Sequence, residues 1–87
     1  MKKIKLFYLR TCPYCKKALM AIDQLKQEQD KYKEINIEMI EESENRKLSD
    51  SYDYHYVPCF YLDDIKVHEG IVMVSDIKRI FDKAIKE

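Results

Sequence analysis

The segment Ile4-Lys5-Leu6-Phe7-Tyr8-Leu9-Arg10-Thr11-Cys12-Pro13-Tyr14-Cys15 runs two patterns together with no linker between them. Lys3 to Leu9 is rich in Ile, Leu, Phe and Tyr, and after Leu6 both parities are apolar. That is the signature of a strand covered on both faces. Thr11-Cys12-Pro13 then signals a helix start, with a capping-type hydroxyl followed by a proline near the first turn. The spacing therefore puts Cys12 and Cys15 at a strand-to-helix junction.

Downstream, Ala18, Leu19, Ile22 and Leu25 fall on one face of a helix expected from Tyr14 to about Lys31. Lys33 to Ile40 alternates Ile35, Ile37 and Met39 with Asn36 and Glu38, which predicts a half-exposed strand. Glu41 to Asp53 is polar, with Leu48 its only strong apolar anchor, and reads as a short helix. Val57 to Leu62 and Ile65 to His68 read as strands joined by a tight turn at Asp63-Asp64. Gly70, the only glycine, ends that region, and Ser75-Asp76 opens a last helix striped by Ile77, Ile80, Phe81, Ala84 and Ile85. The order is β-α-β-α-β-β-α. It predicts an α/β fold: a parallel first pair with a right-handed crossover, an antiparallel last pair, and a four-stranded mixed sheet flanked by three helices.

The 87 residues, 46% of them hydrophobic, read as one small domain spanning 1–87. Sixteen Lys and Arg balance sixteen Asp and Glu. That balance argues against a nucleic-acid surface, which needs a basic excess. The apolar run after Met1-Lys2-Lys3 is too short for a secretory segment, and nothing approaches the ~20 apolar residues of a membrane span. The expectation is a soluble, cytoplasmic, monomeric protein. In that compartment a close cysteine pair is more often catalytic or metal-binding than a structural disulfide.

A Cys-x-x-Cys pair serves zinc or redox chemistry. A structural zinc site needs four ligands, and Cys59, His55 and His68 do not form a second knuckle. The redox reading needs only the two sulfurs at a strand–helix junction. A thiolate is the attacking species, and unpaired N–H groups and the dipole at a helix N-terminus favour it. Cys12, with Arg10, Lys16 and Lys17 nearby in sequence, is the expected nucleophile. Cys15, about one turn further in, is the expected resolving thiol. Pro13 stiffens the turn, and Tyr14 is expected at its rim.

Cys12-Pro13-Tyr14-Cys15 after a first strand, Val57-Pro58 before the third, and Ser75-Asp76 at the last helix resemble the dithiol glutaredoxins of the thioredoxin-fold superfamily. The resemblance spans essentially the whole chain. It implies a thiol–disulfide oxidoreductase acting on disulfide-containing or glutathionylated proteins, with glutathione as co-substrate and no metal. It further implies a cis Pro58 beside Cys12, a Val57 backbone that pairs with substrate as an added strand would, and a glutathione site drawn from Arg10, Tyr14, Val57, Pro58, Ser75 and Asp76. Three positions depart from the family pattern: Leu9 where a Lys is common, Tyr56 where Thr usually precedes Val-Pro, and Glu69-Gly70-Ile71-Val72 where Gly-Gly is usual. This stretch is closer to thioredoxin-like or archaeal-type small redoxins. A redoxin driven by a thioredoxin reductase is therefore the alternative. A glutathione-assisted iron–sulfur module is a further one, disfavoured by the rigid Pro13. Cys59 is expected as a buried small hydrophobe at a strand start, with a third thiol open to glutathionylation or off-pathway disulfides as the alternative. Tyr52, Tyr54 and Tyr56 are expected to pack a loop against the core.

Overall fold

The computed structural model describes residues 1–86. Its elements are β1 (Ile4–Tyr8), α1 (Pro13–Glu28), β2 (Ile37–Glu41), α2 (Arg46–Asp50), β3 (Cys59–Leu62), β4 (Ile65–Glu69) and α3 (Val74–Ile85), with 3-10 turns at Asp30–Tyr32 and Glu42–Glu44. The sheet order is β2-β1-β3-β4. β1 pairs parallel with β2 and antiparallel with β3, and β3 pairs antiparallel with β4. The element order and the mixed four-stranded sheet are those expected from the sequence pattern.

Strand alternation sorts the side chains into two layers. Ile4 and Leu6 of β1 and Phe60 and Leu62 of β3 face α1 and α3, where Ile22, Leu25, Ile77, Ile80, Phe81 and Ala84 complete a buried core. The α1 and α3 stripes predicted from 3.6-residue spacing are the faces buried there. Tyr32 joins this core, its ring edge-on to Phe81 at 5.3 Å and its hydroxyl donating to Asp82. The opposite face holds Phe7, Ile40, Cys59 and Tyr61, covered by Tyr52, Tyr54 and Val57. Phe7 lies 4.9 Å from the rings of Tyr52 and Tyr54 and 5.7 Å from Tyr61. Asp63 and Asp64 both take positive φ (48° and 65°), the geometry of a tight two-residue hairpin turn.

Several local expectations need correction: the third strand starts at Cys59 and not at Val57, since Pro58 has no N–H for the ladder, and the second helix is confined to Arg46–Asp50, with Glu41 ending β2. α1 stops at Glu28, because Gln29 is extended (φ −127°) and the chain tightens into the 3-10 turn instead of continuing to Lys31. The second strand begins at Ile37, although Ile35 before it is buried. Leu48 is 38% exposed, and the residue that α2 buries is the small Ser49. Thr11 is not the cap of α1; Cys12 is, with Pro13 at the first helical position.

Candidate active site

The register gathers four chain segments at one end of the sheet. Tyr8 pairs with Glu41, Phe7 with Cys59, and Cys59 with Glu69. The loop to Cys12, the loop after β2, the Val57-Pro58 approach to β3 and the exit of β4 toward α3 therefore share this end. Val57-Pro58 is a cis peptide, as the resemblance implies.

Cys12 is half-exposed, whereas Cys15 is buried, and neither is in a disulfide. Cys12 is the N-cap of α1, in extended geometry, and its side chain makes no capping hydrogen bond. Partial desolvation opposes ionisation, but the Cys15 backbone N–H, the Cys15 thiol and the Tyr14 backbone N–H outweigh it and lower the Cys12 pKa. Burial pushes Cys15 the other way, up to about 12, aided by the neighbouring Cys12 and Glu42. The Leu9 N–H meets the Cys15 sulfur at 3.5 Å and favours its ionised form. The Leu9 carbonyl accepts from Cys12 N at 3.1 Å, which closes the turn carrying the nucleophile. This pair can do chemistry that needs one ready thiolate and one reserved thiol.

The loop to Cys12 is tied down by Glu41. Its buried carboxylate accepts from Arg10 N (2.9 Å), Ser43 N (2.7 Å) and Ser43 Oγ (2.5 Å). The Ser43 hydroxyl and then the Arg10 N–H hold the Glu41 pKa down at about 2. The loop to Pro58 is tied by Glu69, which accepts from His55 N and from Tyr56 N (2.9 Å) and pairs with Lys66 (2.7 Å). Gly70 N donates to the Pro58 carbonyl at 2.9 Å, and a Cβ on Gly70 would sit 3.9 Å from that of Tyr56. Glu41 and Glu69 escaped the sequence reading because each looks like an ordinary solvated acid at a strand end.

The residues assigned to glutathione by resemblance lie around this end of the sheet, several already engaged. Arg10 projects from the Cys12 loop with its guanidinium forked onto Glu44 (2.5 and 3.0 Å). Asp76 accepts from Met73 N (2.9 Å) and pairs with Arg79 (2.6 Å). Tyr14 and Ser75 are exposed and Val57 is half-buried. Tyr56, Ile71 and Met73 are 70%, 61% and 63% exposed on the loops flanking Pro58. Cys59 is fully buried and its thiol is pushed up to about 12, chiefly by burial and then by Glu69.

A strand, a Cys-x-x-Cys helix start and a cis-proline at one end of this mixed sheet define the thioredoxin fold. A family model described as a thioredoxin domain matches residues 2–82, and the chain belongs to that family. Among solved structures it is similar to an uncharacterised thioredoxin-like protein from Clostridium perfringens (TM-score 0.71, 26% identity, covering 100% of this chain and 74% of that one). It is also similar to a mutant thioredoxin from Halobacterium salinarum (0.72, 20%, covering 99% and 76%) and to a malarial protein (0.75, 17%, covering 98% of each). No curated protein matches the chain. Among the described residues no helix is long and apolar enough to cross a membrane.

Proposed function

We propose that the chain is a dithiol thiol–disulfide oxidoreductase acting on protein disulfides. The observation that carries this reading is the asymmetry of the pair: Cys12 half-exposed at a helix cap with a lowered pKa, Cys15 buried with its pKa pushed up to about 12. The Cys12 thiolate attacks one sulfur of the substrate disulfide, forming a mixed disulfide and releasing the other sulfur as a thiolate. Cys15 then attacks the Cys12 sulfur, and its proton passes to the departing substrate thiolate. The substrate gains two electrons and two protons, one from Cys15 and one that the first released thiolate takes from solvent to replace the proton Cys12 lost on ionising, and Cys12 and Cys15 end as a disulfide. Leu9 N–H supports the charge on Cys15 at the moment it forms. The Val57 backbone beside Pro58 is the edge on which an extended substrate lies, with Tyr14, Tyr56, Ile71 and Met73 as apolar contacts.

For the electron donor we infer a protein dithiol of the thioredoxin-reductase kind. Arg10 and Asp76 are already bonded within the chain, and the exposed Ile71 and Met73 stand in the stretch where the glutaredoxin pattern has Gly-Gly. The Cys12-Pro13-Tyr14-Cys15 tetrad favours the second reading, in which Cys12 also accepts glutathionyl groups and glutathione re-reduces it. A coupled NADPH assay, run with thioredoxin reductase and in parallel with glutathione plus its reductase, separates the two. Turnover only in the glutathione arm reverses the choice of donor, and turnover in neither rejects the carrier function.

A further inference from the structure

We propose that Glu69 is a positioning residue that fixes the substrate-docking edge Tyr56-Val57. This rests on the oxidoreductase reading above and adds to it a residue acting on substrate binding rather than on sulfur chemistry.

The segment from Tyr52 to Val57 is irregular, yet each part of it is held. Tyr52 and Tyr54 pack on Phe7. The Asp53 carbonyl accepts from Tyr61 Oη (2.8 Å) and Lys66 Nζ (3.2 Å). Between these and Val57, which packs on the same cluster, His55 and Tyr56 are exposed. There one oxygen of Glu69 takes both successive backbone N–H groups, of His55 and of Tyr56. The other oxygen takes Lys66, which also reaches Asp53. Both donors lie 13 or 14 residues from Glu69, so the staple closes a long loop onto the end of β4. Charge-assisted bonds to backbone N–H groups are the strong kind.

Without the carboxylate, two adjacent N–H groups lose their acceptor. The exposed Tyr56 ring and the Val57 backbone then lose a fixed register, and an extended substrate must order that edge as it binds. The resulting loss falls on binding. Cys12 is untouched: its pKa is governed by partial burial, Cys15 and Tyr14, with no contribution from Glu69.

The test uses the full chain in two arms: insulin as the protein disulfide with dithiothreitol as electron source, and, for the pre-reduced chain freed of dithiothreitol, a single-turnover reaction with 5,5′-dithiobis(2-nitrobenzoic acid), a small disulfide that needs no docking edge. Glu69→Ala raises the KM for insulin about tenfold with kcat within about twofold, while the small-disulfide rate and Cys12 alkylation stay within about twofold. Glu69→Gln keeps an acceptor for the two N–H groups and recovers most of the insulin KM. It also stands in if Glu69→Ala fails to fold, in which case its KM must exceed the wild-type value by about threefold. The role is overturned if insulin KM is unchanged in both variants, or if insulin and small-disulfide rates fall by one common factor. A wild-type chain that reduces neither oxidant sinks the oxidoreductase reading and this role with it. A wild-type chain that reduces both, beside variants with unaltered KM, removes only the role of Glu69.

Discussion

The Cys12 loop and the Pro58 loop meet at the same end of the sheet, and the same device holds each: a strand-end carboxylate accepting from loop N–H groups. They differ in how they are built. Apart from the distant Glu41 tie, the Cys12 loop is local; a strand ends, a cap follows, proline starts the helix, and the Cys12 pKa is set by its own first turn. The Pro58 loop is assembled from distant parts: Phe7 under its tyrosines, Tyr61 and Lys66 on the Asp53 carbonyl, and Glu69 on the approach to Val57. Chemistry here is a property of one short segment, and the proposed recognition edge is a property of the whole sheet end.

That contrast can be broken by substitution. Cys12→Ser should reduce turnover to background, while Cys15→Ser should retain the first attack and accumulate a mixed disulfide at Cys12, readable by mass spectrometry. Equal residual activity in the two variants would erase the division of roles. Phe7→Ala removes the ring on which Tyr52 and Tyr54 pack and should cost about 3–5 kcal/mol in denaturant unfolding. It should also disturb insulin reduction more than small-disulfide reduction, since the loss falls under the Pro58 loop.

The pH dependence probes the Cys12 side. Its alkylation rate should rise with a midpoint below the ordinary thiol value of about 8.5, and Cys15 and Cys59 should stay unreactive at neutral pH. Glu41 titrates near 2 in the folded chain against an ordinary 4.5. A depressed carboxylate pKa stabilises the fold above 4.5, and this contribution disappears as pH falls from 4.5 toward 2. Glu41→Gln should therefore flatten the acid limb of the stability curve in that window, followed by circular dichroism. The smallest effect is expected at Arg10→Ala: its pair with Glu44 is exposed on both sides, so the melting temperature should barely move.

Much of this was legible in the chain itself. The stripes Ala18-Ile22-Leu25 and Ile77-Ile80-Phe81-Ala84 specify helices and the faces they bury, because burial depends on spacing alone. The cysteine pair points to redox chemistry by its place at a strand-to-helix junction, with Pro13 between the two sulfurs. The boundaries at Gln29 and Ile37 go with an extended cap and with the turn that holds the buried Ile35, and α2 buries Ser49 where Leu48 is the expected anchor. Glu41 and Glu69 could not be told from solvated acids, because what distinguishes them is the N–H groups facing them across the sheet end. Periodicity and local caps are short-range and readable in order. The pairing of a carboxylate with a loop 13 to 31 residues away exists only once the strands have set their register.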